Sequence, residues 1–137
     1  MSTSSEGCAF PKKIGPSKQA RNARNASLRR QLRNTIWLRD RGVSRASGRP
    51  VEPNHYSMHW RGEVCHIQSR GSCPARKMDP TNCILLSAAE HQLSDGRGGY
   101  RLKLTDPETG EPATDASKPI LFTLYNSAGK VVWSRTS

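Results

Sequence analysis

The spacing of apolar residues predicts a helix near the start of the chain. Leu28, Leu32 and Ile36 recur every four residues, which places them on one narrow stripe of a helix. Ser17 has a side chain suited to the N-terminal cap, because its hydroxyl can accept a hydrogen bond from a free N–H of the first turn. We therefore predict a helix over residues 17–41.

A strand, a loop, a second strand and a short helix are predicted for the middle of the chain. Residues 63–65 (EVC) form a short strand-like run. Residues 83–86 (CILL) form an apolar run that comes just after the turn signal DPT at 79–81. Residues 87–95 follow this second run and are predicted to be helical.

The last part of the chain, residues 97–137, has the alternation of a small β-meander. Strands are predicted at 100–104 (YRLKL), 119–125 (PILFTLY) and 130–133 (KVVW), with turn signals between them. The meander either caps and stabilises the preceding segment or presents a sheet to a second copy or to DNA. The predicted fold class is α+β, and residues 1–16 are expected to form a flexible basic arm.

Positive charge dominates the composition and indicates a polyanionic partner. The 137 residues include 22 Lys and Arg against 11 Asp and Glu, a formal net charge of +11. Residues 11–51 hold twelve of these cations and a single acid, Asp40. A basic surface attracts phosphate backbones and releases their counterions. We therefore predict that Arg29, Arg30 and Arg33, opposite the apolar stripe of the helix, contact nucleic-acid phosphates.

The composition argues against a membrane or secreted protein. The chain is 34% hydrophobic and has no run close to the roughly 20 apolar residues that a spanning helix needs. Its N-terminus lacks the apolar core of a signal peptide, so we expect a soluble, cytoplasmic protein with one domain. The four cysteines show no CxxC spacing and are expected to be reduced thiols.

Four polar residues of the middle segment carry the candidate chemistry. His66 follows the first predicted strand, Asn82 opens the second, and His91 lies in the predicted helix. Asp95 comes four residues after His91, and residues four apart share a face of a helix. The His91 and Asp95 side chains could therefore hold one metal ion.

This stretch resembles the HNH endonucleases, also called the ββα-metal or His-Me finger nucleases. The resemblance covers less than half of the chain and implies that residues 42–96 form a ββα-metal finger. His66 then matches the general base, and Asn82 matches the residue that braces the loop or, in some members, ligates the metal. His91 and Asp95 match the positions of the metal ligands on the helix.

The function that the resemblance implies is hydrolysis of phosphodiester bonds in double-stranded DNA, with one divalent ion (Mg, Mn or Zn) as the cofactor. Arg70 neighbours the base in sequence and is expected on the DNA backbone. Cys65 stands where the family usually has an Asp or His metal ligand. A thiolate there would favour zinc, and the alternative is a packed thiol. As a compact and basic chain with this resemblance, the protein is similar to the HNH proteins that phages and mobile elements carry.

The chain departs from the family in its zinc ribbon. Many members carry two CxxC pairs, and the matching places here are residues 44–47 (SRAS) and 87–90 (SAAE). Serine cannot replace a thiolate in a structural zinc site. We therefore predict a version without the zinc ribbon, held together by packing.

Two functions from different classes stay open. The leading one is a metal-dependent DNA endonuclease. The alternative is a non-catalytic nucleic-acid-binding protein on a degenerate finger, which the missing cysteine pairs and Cys65 favour. RNA is a weaker candidate, because the three Trp, three Tyr and two Phe are scattered along the sequence and predict no stacking platform. A homodimer is compatible with either function.

Overall fold

The chain folds as a mixed α+β protein with two helices and two small antiparallel sheets, as seen in a computed structural model. The residues that the structure describes are 17–53, 56–69 and 71–137. The predicted arm at 1–16 and Arg70 lie outside the described residues. The chain divides into two compact units, Met1–Gln31 and Leu32–Ser137.

Helix α1 (Lys18–Arg39) lies within the predicted range of 17–41 and ends two residues before its predicted end. The Ser17 hydroxyl accepts a hydrogen bond from the N–H of Ala20 at 3.1 Å, as an N-terminal cap should. Gly42 ends the helix with a φ of +65°, and a Cβ at this position would lie 2.9 Å from Nε1 of Trp37. Both its conformation and its close contact therefore require glycine.

The apolar stripe of α1 is buried only towards its C-terminal end. Leu32 and Ile36 are buried, whereas Leu28 is 42% exposed. Leu32 and Ile36 pack with Val51, Cys83 and Leu85 in one apolar cluster of the second unit. The predicted stripe is thus confirmed for two of its three members.

Strands β1 (Gly62–His66) and β2 (Cys83–Ser87) form an antiparallel pair, and helix α2 (Ala88–Ser94) follows β2 directly. The pairing runs from Gly62 opposite Ser87 to His66 opposite Cys83. The loop between the strands contains two short 3₁₀ turns, Pro74–Arg76 and Pro80–Asn82. All five residues of β2 are buried, because apolar clusters cover both of its faces.

The predicted β-meander is present as strands β3 (Arg101–Thr105), β4 (Leu121–Tyr125) and β5 (Val131–Thr136), preceded by a 3₁₀ turn at Arg97–Gly99. The strands are antiparallel in the order β3-β4-β5. Leu102, Phe122 and Leu124 on one face join Ile84 and Leu86 of β2 in the larger apolar cluster. The meander therefore supplies part of the core that buries one face of the β1–β2 pair.

A polar cluster joins residues 44–47 to residues 87–90, the two stretches that the sequence comparison set against cysteine pairs. The buried carboxylate of Glu90 accepts hydrogen bonds from the hydroxyls of Ser47 and Ser44, and one from the N–H of Ser87 at 2.9 Å. The Ser87 hydroxyl accepts in turn from the N–H of Glu90, which completes a capping box. Burial opposes ionisation of Glu90, but these hydrogen bonds outweigh it and lower its pKa. The segment from β1 to α2 is held by this cluster as well as by apolar packing.

The length and polarity of a helix decide whether it could cross a membrane. Neither α1 nor any other helical segment within the described residues combines the length and apolar character needed to cross a bilayer.

Candidate active-site cleft

A cleft of about 600 Å³ brings together four of the five residues that the sequence singled out for catalysis or metal binding. Cys65 and His66 come from β1, and His91 and Asp95 come from α2 and its end. The opposite wall is apolar and includes Leu102 of β3. Residues of strand β1 and residues of helix α2 and its end thus line one cavity, as the family resemblance implies.

His66 lies at the last position of β1, and its ring is held by a backbone carbonyl. Its Nε2 is 2.7 Å from the carbonyl oxygen of Lys77. A carbonyl oxygen only accepts hydrogen bonds, so Nε2 must carry the proton of this contact. In the neutral ring the lone pair is therefore on Nδ1, which is the nitrogen able to take a proton.

Asn82 braces the loop that provides this carbonyl. Its Oδ1 accepts from the N–H of Gln68 at 2.8 Å, and its Nδ2 donates to the carbonyl oxygens of Gln68 at 3.0 Å and Arg76 at 3.2 Å. Asn82 is completely buried and does not line the cleft. Its position is that of a loop brace, one of the two roles that the resemblance implies.

His91 is held from β1 by a carboxylate. Its Nδ1 is 2.9 Å from Oε1 of Glu63, and the other oxygen of Glu63 accepts from Nε of Arg61 at 2.8 Å. The Cys65 thiol beside the ring and then Glu63, against the effect of burial, raise the pKa of His91 to about 9. At neutral pH the ring therefore carries its proton, and a metal ion that binds Nε2 must displace it.

Glu63 itself favours its ionised form. Burial opposes ionisation, but hydrogen bonds from His91 and Arg61 outweigh it and lower the pKa of Glu63. The carboxylate is therefore charged at neutral pH and opposes the positive charge of the His91 ring.

Cys65 belongs to the core and to the cleft at once. It is only 5% exposed and packs in the larger apolar cluster. Its sulfur lies 3.9 Å from the Ser94 hydroxyl and 3.7 Å from the carbonyl oxygen of His66. Both alternatives for Cys65, packed thiol and metal ligand, are compatible with this position.

Asp95 caps the C-terminal end of α2 and is exposed to solvent. Its N–H donates to the carbonyl oxygen of His91 at 3.3 Å, which keeps the two residues one helical turn apart. Its carboxylate makes no hydrogen bond or ion pair with the described part of the chain, so it is available to a ligand in the cleft.

The donor atoms at the cleft are too few to surround a metal ion by themselves, but they could hold one that also binds water or substrate. Among the described residues, no group of three or more His, Cys, Asp and Glu side chains is arranged to hold a metal ion. However, a His whose second ring nitrogen bonds a carboxylate, as His91 does with Glu63, is the usual arrangement of a metal-ligating histidine. A metal ion here would need water or substrate oxygens to complete its coordination.

The basic residues of α1 differ in their surroundings. Arg29 and Arg30 belong to the first unit and are exposed. Arg33 belongs to the second unit, where it donates to the carbonyl oxygens of Gly62 at 2.8 Å and Pro53 at 3.4 Å. Its guanidinium also lies over the ring of Trp37. Arg33 therefore supports the start of β1, and phosphate contact by Arg29 and Arg30 stays a prediction.

Two groups that hold the cleft histidines in place were not predicted from the sequence. Glu63 carried a usable signal, because residues two apart on a strand share a face and Glu63 is two residues before Cys65. The carbonyl of Lys77 carried none, because every residue has a backbone carbonyl and only the folded loop selects one.

No protein-family model, no curated protein and no solved structure matches this chain. The function is therefore inferred from the cleft and from the residues around it.

Proposed function

We propose that the protein is a metal-dependent endonuclease of the HNH type that hydrolyses phosphodiester bonds in double-stranded DNA. One observation carries the proposal: Cys65 and His66 of β1 and His91 and Asp95 of α2 and its end line a single cleft. The element order β1, β2, α2 is also that of the ββα-metal finger. The proposal rests on this arrangement together with the net charge of +11.

The proposed general base is His66. Nδ1 of its neutral ring takes the proton of a water molecule as that water attacks the phosphorus atom and the bond from phosphorus to the leaving oxygen breaks. The hydrogen bond from Nε2–H to the Lys77 carbonyl fixes the tautomer and supports the positive charge that then develops on the ring. Asn82 acts as a positioning residue, since it holds the loop that includes Lys77.

His91 is the first candidate to hold the divalent ion, with Cys65 and Asp95 as the other donors at the cleft. When bound, such an ion supplies positive charge to the scissile phosphate and the leaving oxygen. Imidazole and thiolate donors suit zinc, whereas the Asp95 carboxylate suits magnesium or manganese. Glu63 orients the His91 ring through Nδ1 and leaves Nε2 for coordination.

A plasmid-nicking assay tests this function. Wild-type protein is expected to convert supercoiled DNA to open circles with Mg²⁺, Mn²⁺ or Zn²⁺. His66→Ala should lower the rate by about 10²- to 10⁴-fold, the usual contribution of a general base. His59→Ala is the matched control, because His59 does not line the cleft. Equal rates for wild type and His66→Ala with every ion would contradict the proposal.

A second function is favoured by a separate observation. Cys65 is 5% exposed, and the described residues form no group of three metal donors. These facts suit a non-catalytic protein that binds nucleic acid on a degenerate finger. In that case DNA binding needs no metal ion, no nicking occurs, and the affinity falls steeply with salt because phosphate contacts release counterions.

A further inference from the structure

A second groove, of about 440 Å³, is lined by two of the three tryptophans, Trp60 and Trp133. Trp60 lies just before β1, and Trp133 lies on β5 opposite Leu124. The aromatic residues look scattered along the sequence, but the fold places these two indoles around one opening. None of the residues that line this groove lines the cleft of His66.

Two guanidinium groups lie at the groove. The Arg49 guanidinium is stacked over the Trp60 ring, 4.0 Å from its centroid. The Arg49 side chain makes no hydrogen bond or ion pair with the described residues. Stacking leaves the N–H donors of a guanidinium free in its plane, so Arg49 can bind an anion while it stays on the indole.

Arg135 is fixed beside the groove by backbone contacts. Its Nη1 donates to the carbonyl oxygens of Arg45 at 3.1 Å and Ala46 at 3.3 Å. Gly48 makes room for it, because a Cβ on Gly48 would lie 2.6 Å from Nη2 of Arg135. The position of the Arg135 guanidinium is therefore fixed by its contacts with the backbone.

One acid also lines the groove, and it does not neutralise these cations. Glu90 is 9% exposed, and its carboxylate accepts hydrogen bonds from Ser44, Ser47 and Ser87. Its oxygens are thus satisfied by neutral donors of the fold, and among the described residues no ion pair joins it to Arg49 or Arg135. The groove keeps an aromatic and apolar lining with cationic groups beside it.

We infer that this groove binds an unpaired nucleobase together with its phosphate, so that the protein holds single-stranded nucleic acid here. Bases of any sequence stack on aromatic rings, and guanidinium groups bind the adjoining phosphate. In a duplex the base faces are already stacked on each other, so a duplex can use the cations but not the indoles. The site stands apart from catalysis at the cleft.

Fluorescence anisotropy with a labelled ten-nucleotide oligothymidylate tests the inference in EDTA, where no metal-dependent cleavage occurs. Wild-type protein should bind this strand. Trp133→Ala should weaken binding by about 5- to 100-fold, as expected when one base loses its stacking partner. Arg49→Gln should weaken it too and reduce the salt slope by about 0.7, the value for one phosphate contact on a single strand.

Matched controls come from the same chain. Lys130→Gln removes one exposed charge, and Tyr100→Ala removes one exposed aromatic ring, both outside the groove. Neither should weaken binding of the single strand as much as the groove variants do. On a hairpin duplex, Arg49→Gln and Lys130→Gln should behave alike.

Two results would overturn the inference. One is equal loss of single-strand affinity in Arg49→Gln and Lys130→Gln, which would show that only net charge matters. The other is wild-type affinity in Trp133→Ala. Trp133 is half-buried, so thermal unfolding checks that its variant is folded, and the exposed Arg49 provides the test that does not depend on packing. Failure of the nuclease proposal would leave these measurements unchanged, since they use no metal ion.

Discussion

Nδ1 of His91 on α2 and Oε1 of Glu63 on β1 lie 2.9 Å apart. This contact fixes the orientation of the imidazole, because only Nε2 is then left to face another partner. Glu63 is itself held by Arg61, so the orientation is set by two successive charged contacts. In metal sites such a carboxylate fixes the tautomer and orientation of the histidine ligand and raises its basicity.

Glu63→Gln is expected to weaken binding of Zn²⁺ or Mn²⁺ by about 10- to 100-fold, the usual effect of losing the carboxylate behind a metal-ligating His. The amide keeps the size of the side chain but removes its charge. Competition with a chromophoric chelator measures the affinity without relying on cleavage.

Glu52→Gln is the control for that experiment, because it removes an exposed carboxylate that is not at the cleft. If Glu63→Gln and Glu52→Gln bind metal as tightly as wild type does, the assignment of His91 as a metal ligand fails.

Asn82→Ala is expected to destabilise the fold by about 2–4 kcal/mol, because it leaves several backbone groups of the loop without partners. Urea unfolding of the full chain measures this loss. Asn34→Ala, at an exposed position of α1, should change the stability by less than about 0.5 kcal/mol. A loss of the same small size in both variants would show that the loop does not depend on the buried amide.

Glu90→Ala is expected to cost about 1–3 kcal/mol of unfolding free energy, since the serine hydroxyls and the Ser87 N–H lose their common acceptor. Glu108→Ala, in an exposed turn, is the control. Thermal unfolding of the two variants gives the comparison. An unchanged midpoint for Glu90→Ala would mean that apolar packing alone holds this segment.

The local sequence pattern predicted the helices and strands well, but it predicted poorly which residues far apart in the sequence lie together. The spacing of Leu32 and Ile36 predicted the buried side of α1, and the alternation around Leu102 and Leu124 predicted strands of the meander. In each case the signal is contained in one short segment. The shared cleft of His66 and His91 was predicted only with the help of a family resemblance, because the two residues are on different elements.

The contacts of the arginine side chains show why a binding partner is harder to predict than a helix or a strand. Arg45 donates to the carbonyl oxygens of Ala116 at 2.9 Å and Ser137 at 3.2 Å, and Arg39 donates to those of Cys83 at 2.6 Å and Pro80 at 2.7 Å. These acceptors are backbone atoms far away in sequence. The excess of cations before residue 51 therefore combines residues that hold the fold with residues that remain exposed, and composition cannot separate the two.

The last prediction concerns the pH dependence of stability through Asp79. Hydrogen bonds from the Thr81 hydroxyl and N–H, and then from Arg76, hold the pKa of Asp79 below its ordinary value. The carboxylate is therefore more readily ionised in the folded protein than in the unfolded chain. Its contribution to stability is complete above the ordinary pKa near 4 and is lost as the pH falls through the lower folded pKa.

Asp79→Asn keeps an acceptor for the Thr81 N–H but removes the charge that pairs with Arg76. At pH 7 the variant should have a lower urea midpoint than wild type. As the pH falls below about 4, Asp79 of the wild type becomes protonated and neutral like Asn, so the difference between the two midpoints should shrink towards zero. A difference that stays constant from pH 7 to pH 2 would show that the charge of Asp79 contributes nothing to the loop that carries the Lys77 carbonyl.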